Sequence, residues 1–66
     1  MKNRLKVERA IKNITQEDLA KAVGVSRQTI NAIELGKYVP STLLSLKIGK
    51  YFGKSVEEIY ELEDSD

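Results

Sequence analysis

Apolar residues recur along this chain at intervals of three and four, the spacing that places side chains on one face of an α-helix. In the first segment, Val7, Ala10, Ile11 and Ile14 follow this spacing, with Leu5 one turn earlier, and predict a helix over residues 4–12. No stretch alternates apolar and polar residues for long enough to indicate a β-sheet. Because the helical pattern continues to about residue 60, we expect an all-α fold.

Residues that favour helix ends divide the rest of the chain into four more helices. Ser, Thr and Asp suit the first turn of a helix, and glycine suits its end, because glycine readily adopts positive φ. The predicted boundaries are Thr15 and Gly24 for the second helix, Ser26 and Gly36 for the third, Pro40-Ser41 and Gly53 for the fourth, and Ser55 with Glu58 for a short fifth.

The second and third helices are joined by a three-residue turn, Gly24-Val25-Ser26. A turn this sharp needs a glycine at its first position, and a close helix crossing needs a small residue such as Ala20. Ile30 and Ile33 supply apolar contacts that hold the third helix on the rest of the domain.

The segment from residue 15 to residue 41, TQEDLAKAVGVSRQTINAIELGKYVPS, resembles the helix-turn-helix family of the phage Cro protein and cI-type repressors, also called the XRE family. The resemblance implies a compact five-helix lambda-repressor-like domain over residues 1–60, with its helix-turn-helix formed by helices 2 and 3. It also implies binding to double-stranded DNA, with residues 27–35 as the recognition helix in the major groove. Residues 61–66 would form an acidic C-terminal tail.

By the same resemblance, Arg27 and Gln28 contact base edges first, followed by Thr29 and Asn31. Arg and Gln or Asn side chains are planar and match the hydrogen-bonding edges of guanine and adenine. Further candidates lie where the family contacts phosphate: Gln16, Ser26, Lys37 and Tyr38. Gln16 would lie beside the DNA backbone at the start of the second helix and would also support Gln28. The alternatives are that these polar residues are only solvated, and that Ser26 only caps its helix.

Arg9 and Glu34 match a pair that commonly forms a structural salt bridge in the family. The alternative is that they are two unrelated surface charges. Three residues depart from the family pattern. Glu8 occupies a position that is usually apolar, so the first helix would pack or rotate differently. Ala32 and Leu35 replace polar residues of the recognition helix, which would reduce the number of contacts that this helix makes with bases.

The charge distribution agrees with a polyanionic partner. The chain has 11 basic and 10 acidic residues, a net charge of +1. All 11 basic residues and four acidic ones lie in residues 1–54, whereas the other six acidic residues lie in residues 55–66. A basic body with an acidic end suits DNA at one side. Ordinary solvated surface charge is the alternative.

Composition excludes most catalytic chemistry. The 66 residues include no Cys and no His, so disulfides, zinc fingers and Ser-His-Asp triads are excluded. We therefore expect no enzyme, no metal and no cofactor. No apolar stretch reaches the roughly 18 residues of a membrane span, and the first ten residues do not resemble a signal peptide, which predicts a cytoplasmic protein.

Dimerisation is expected, because one recognition helix reads only a few base pairs. A two-fold homodimer of this family reads an inverted repeat with half-sites about 34–36 Å apart. The candidate dimer interface is Val56, Ile59, Tyr60 and Leu62, although these residues could equally cap the monomer core.

We expect a transcriptional regulator, favouring a repressor. The alternatives are an antitoxin with a toxin bound to the acidic C-terminal tail, and a protein-interaction module with the same fold.

Overall fold

The computed structural model describes all 66 residues and contains five helices and one small sheet. The helical prediction is confirmed, with helix bounds within about one residue of those expected. The helices are α1 (Leu5–Lys12), α2 (Gln16–Val23), α3 (Arg27–Glu34), α4 (Thr42–Phe52) and α5 (Val56–Ile59). The strands are β1 (Lys2–Asn3) and β2 (Tyr60–Glu61).

Side-chain caps begin four of the five helices, as the sequence predicts. Thr15 and Ser55 form complete capping boxes with Asp18 and Glu58, in which each side chain bonds to the backbone N–H of the other residue. The Ser26 and Ser41 hydroxyls accept hydrogen bonds at the starts of α3 and α4. These caps satisfy amide groups that a helix start otherwise leaves unpaired.

The expectation that the chain has no sheet was wrong. β1 and β2 pair antiparallel, with Lys2 opposite Glu61 and Asn3 opposite Tyr60. Strands of two residues are too short to produce a readable alternation of apolar and polar positions, so the sequence pattern could not reveal them. The sheet places residues 61–66 beside the start of the chain, where Met1 N lies 3.1 Å from Glu63 and 3.0 Å from Asp66.

The hydrophobic core lies between α2, α3 and α4, and it is closed by residues from α1, α5 and β2. Six of its side chains are almost completely buried, which is the largest favourable contribution available to a domain of this size. The core residues are Leu5, Leu19, Ala20, Val23, Ile30, Ile33, Leu44, Ile48, Ile59 and Tyr60.

Two residues of the predicted dimer interface belong to this core. Ile59 and Tyr60 are only 1% and 7% exposed, so their side chains are not free to contact a second copy. They cap the core of the single chain, which is one of the two possibilities that the sequence left open. Val56 is half-buried against the same core, whereas Leu62 is 78% exposed.

The predicted apolar face of α1 is confirmed for Leu5 and was wrong for Val7 and Ile11. Val7 and Ile11 are 45% and 68% exposed, whereas Leu5 and Glu8 are buried. The Glu8 carboxylate accepts a hydrogen bond from Lys54 Nζ at 2.8 Å. Because the helix side that carries Leu5 and Glu8 faces the domain, Val7 and Ile11 project from the opposite side. The unusual residue at position 8 is thus buried on the side of α1 that faces the domain, where it pairs with Lys54.

We predict that Lys54→Met destabilises the domain by about 2 kcal/mol, because it leaves the buried Glu8 carboxylate without its closest cation. Arg4 is the other cation near Glu8, at 3.9 Å. The free energy of unfolding should be measured by urea denaturation followed by circular dichroism. Lys47→Met is the matched control, because Lys47 is exposed and forms no ion pair. Equal effects of the two substitutions would show that the Glu8–Lys54 pair contributes nothing.

Candidate nucleic-acid interface

The turn between α2 and α3 has the geometry that its sequence predicts. Gly24 has φ 77°, in the left-handed region, and no atom beyond its two chain neighbours lies within 4 Å of the position that a Cβ would occupy. Glycine is therefore required here by the backbone conformation and not by lack of space. The backbone N–H groups of Gly24 and Val25 both donate to the carbonyl of Ala20, at 2.9 and 3.0 Å, and end α2.

One face of α3 is held in the core and the opposite face is free. Ile30 and Ile33 are buried, whereas Arg27, Gln28 and Asn31 are exposed. The side chains of Arg27 and Gln28 make no hydrogen bond or ion pair within the chain. A rigid backbone thus presents planar donors and acceptors to solvent, as direct readout of base edges requires.

Ser26 and Thr29 are paired with each other at the start of α3. The Ser26 hydroxyl accepts a hydrogen bond from Thr29 N at 3.2 Å, and the two hydroxyl oxygens lie 2.9 Å apart. Ser26 therefore caps α3, and Thr29 is only partly exposed. The first amide groups of the helix still point outward, and a helix N-terminus of this kind favours an anion.

Arg9 and Glu34 form the ion pair that the family resemblance implies, and it joins α1 to α3. Arg9 Nε donates to Glu34 Oε2 at 2.5 Å, and Nη2 donates to Oε1 at 2.9 Å. Arg9 Nη1 also donates to the carbonyl of Ile14, at 3.1 Å. The hydrogen bonds with Glu34 raise the pKa of Arg9. This bidentate geometry fixes the rotation of α3 relative to α1.

Gln16 connects this ion pair to the exposed face of α3. Its Nε2 donates to Glu34 Oε1 and to Asn31 Oδ1, both at 3.1 Å. The resemblance implies that Gln16 lies beside the DNA backbone and supports Gln28, and in the structure its partner on α3 is Asn31. Asn31 precedes Glu34 by three residues, so the two side chains share a helix face that Gln16 can reach.

The segment after α3 brings Lys37 and Tyr38 to the surface. Gly36 has φ 73° and reverses the chain, and both following side chains are exposed. Tyr38 lines a shallow groove together with Val25, Thr29 and Leu43. Tyr38 therefore lies near the N-terminal end of α3, close to the residues that the sequence predicts to contact DNA.

Two polar contacts that support this surface were missed by sequence reasoning. Asn3 Nδ2 donates to the carbonyl of Ile33 at 2.8 Å and links β1 to the end of α3. The contact of Gln16 with Asn31 was the other. Each joins residues that are distant in sequence, so neither local spacing nor helix periodicity could indicate it.

The structure contains no group of three or more His, Cys, Asp or Glu side chains that could hold a metal ion. The longest helix has 11 residues, and none is long and apolar enough to cross a membrane.

Comparison with known proteins identifies the family. A family model described as helix-turn-helix matches residues 5–59, which is most of the chain. The chain belongs to the XRE helix-turn-helix family. An uncharacterized HTH-type transcriptional regulator of Methanocaldococcus jannaschii is 61% identical over the whole of both chains. One of Bacillus subtilis is 50% identical, again over the whole of both. A third, from Archaeoglobus fulgidus, is 46% identical over this whole chain and 93% of its own.

These findings confirm the predicted family and fold. The family and the names of the relatives agree with a DNA-binding regulator and not with an enzyme, as the sequence analysis predicts. The matched residues include α2, its turn and the whole of α3, which form the exposed polar face described above.

Three carboxyl groups in these contacts have pKa values below their ordinary ones. The main cause of the lowered pKa is a backbone hydrogen bond, which the N–H of Thr15 donates to Asp18 and the N–H of Ser55 donates to Glu58. For Glu34, burial alone raises the pKa, but hydrogen bonds from Arg9 and Gln16 outweigh burial and the pKa is lowered. All three groups therefore stabilise the folded chain in their ionised form.

We predict that the domain loses stability in acid. A carboxyl whose pKa is lowered by folding contributes its full stabilisation at pH values above its pKa in the unfolded chain, which is 4.5 for Glu. That contribution is lost as the pH falls through the folded pKa. The free energy of unfolding should be constant between about pH 5 and 7, because the chain has no histidine, and should decrease steadily below that range.

Urea denaturation at pH 7, 5, 4 and 3 measures this dependence. Asp18→Asn should reduce the acid-induced loss, because it removes one of the titrating groups while it keeps an oxygen for the Thr15 N–H. An unfolding free energy that is the same at pH 3 and pH 7 would contradict the prediction.

Proposed function

We propose that this protein is a sequence-specific DNA-binding transcription regulator that places α3 in the major groove. The observation that supports this most strongly is the contrast between the two faces of α3. Ile30 and Ile33 are buried, while Arg27, Gln28 and Asn31 extend into solvent. An exposed row of planar polar side chains on a firmly held helix suits direct base readout.

Each exposed residue has a role that follows from its chemistry. Arg27 donates to guanine O6 and N7, and Gln28 pairs with adenine N6 and N7. Thr29, with its methyl group and partly exposed hydroxyl, contributes a smaller contact. Lys37 and Tyr38 bind phosphate oxygens after α3, and the amide groups at the starts of α2 and α3, beside Gln16 and Ser26, bind phosphate as well.

The placement of charge supports this orientation. The basic residues all lie within residues 1–54. The acidic end of the chain folds back so that Glu63 lies in a shallow depression with Leu35 and Gly36, at the C-terminal end of α3. Arg27 is at the opposite end of that helix. Glu63 is thus kept away from Arg27 and the start of α3.

The protein acts as a homodimer and as a repressor in this proposal. A dimer doubles the number of base pairs read and matches an inverted repeat with half-sites about 34–36 Å apart. Of the residues predicted for the interface, Leu62 is exposed and Val56 is half-buried, and both remain in the proposal. Exposed Leu43 and Leu46 add apolar surface on α4. Repression requires only that the bound dimer cover its site.

Selection of bound duplexes from a random DNA pool, followed by titration of the selected duplex by fluorescence anisotropy, tests the proposal. We expect an inverted repeat with half-site centres about 10 base pairs apart and an affinity that falls with salt. Gln28→Ala and Arg27→Ala should each weaken specific binding about tenfold and relax the preference at one base position per half-site.

Lys50→Ala is the matched control, because Lys50 is exposed on α4 and outside the proposed contacts. It should leave the sequence preference unchanged. Binding that is equal for all duplexes and insensitive to Gln28→Ala would contradict the proposal and favour a protein partner instead.

A further inference from the structure

The hydrogen bonds of Gln16 determine which way round its own amide is oriented. Glu34 is an ionised carboxylate held by Arg9, so it can only accept hydrogen bonds. The atom of Gln16 that lies 3.1 Å from Glu34 Oε1 must therefore be the amide nitrogen. The reverse orientation would place two oxygen atoms against each other without a proton between them.

The same reasoning extends to Asn31. The Gln16 amide nitrogen has two hydrogens, and one is donated to Glu34. The other is directed at Asn31, so the Asn31 atom 3.1 Å away must be the carbonyl oxygen, Oδ1. Asn31 Nδ2 then points away from Gln16, and it has no hydrogen-bond partner in the chain. Its two N–H groups are free on the exposed face of α3.

We infer that Asn31 is a specificity-determining residue whose amide is preset as a hydrogen-bond donor, and that Gln16 is the positioning residue that presets it. This inference rests on the proposed function. An unrestrained Asn can turn its amide and pair with adenine through one donor and one acceptor. With one lone pair of Oδ1 already used by Gln16, the groups that Asn31 chiefly offers are its two N–H donors, which favour a base that shows acceptors.

The bases that show acceptors in the major groove without a competing donor are guanine, through N7 and O6, and thymine, through O4. Both are keto bases. Cytosine shows only an amino group, and adenine shows its N7 acceptor beside an amino group, so neither offers Asn31 Nδ2 an acceptor that is free of a competing donor. The preset amide therefore selects a keto base at the position that Asn31 contacts. The ion pair of Arg9 with Glu34 contributes to this selection, because it holds the carboxylate that orients Gln16.

The test compares base preferences by selection from a random DNA pool. Asn31→Ala first identifies the contacted position as the one at which the preference disappears. Gln16→Met, which keeps the length of the side chain and removes its amide, should lower the keto-to-adenine ratio at that position about fivefold. This factor corresponds to one ordinary hydrogen bond. Preferences at the positions read by Arg27 and Gln28 should stay unchanged.

Asn31→Asp separates the donor role from the acceptor role. Asp retains an oxygen but has no N–H to donate, so the preference for a keto base should be lost. If Asn31→Asp keeps the preference, Asn31 acts as an acceptor and the inference is overturned. It is also overturned if Gln16→Met weakens binding to all sequences equally, because Gln16 would then act on phosphate alone.

A second measurement on the free protein makes the result independent of DNA. The ¹⁵N relaxation of the Asn31 side-chain amide should show a restricted group in the wild-type chain and a mobile one in Gln16→Met. Equal mobility in both would overturn the inference. A wild-type chain with no base preference at any position would instead overturn the proposed function, a result distinct from a preference that ignores Gln16→Met.

Discussion

The ion pair between Arg9 and Glu34 is the interaction on which the candidate DNA-binding surface depends. It joins α1 to the last turn of α3 through two hydrogen bonds, and the same carboxylate receives a third from Gln16 at the start of α2. Three helices therefore meet at one charged group. Removing Arg9 would leave a largely buried negative charge without its cation, a change that typically costs about 3–5 kcal/mol when the pair is fully buried.

This polar junction and the hydrophobic core hold α3 in different ways. Ile30 and Ile33 attach the helix to the domain without directional preference, because burial of apolar surface is not directional. Glu34 restricts the rotation of α3, because its bidentate contact with Arg9 requires a fixed angle between the two side chains. The exposed side chains of Arg27 and Gln28 consequently start from a fixed backbone, and less conformational entropy is lost when they bind.

The helices and their ends could be predicted from sequence because their causes are local. Thr15 with Asp18 and Ser55 with Glu58 form capping boxes within four residues. Gly24 marks a turn because its backbone adopts a positive φ, which glycine adopts readily. The burial of Glu8 could not be predicted, because its closest partner, Lys54, lies 46 residues further along the chain. The sheet and the contact of Gln16 with Asn31 likewise depend on tertiary structure. Helix periodicity alone therefore placed Val7 and Ile11 on the buried side of α1 and could not reveal the contact of Gln16.

Titration of the ¹⁵N-labelled protein with its selected duplex is the most direct test of the account, because backbone amide shifts report contact residue by residue. We expect the largest changes at Gln16, at Arg27 to Asn31 and at Lys37 and Tyr38, with much smaller changes at Val7 and Ile11, which lie on the exposed side of α1. Changes concentrated on α1 or α5, with α3 unaffected, would contradict the central claim that the exposed face of α3 is the DNA-binding surface.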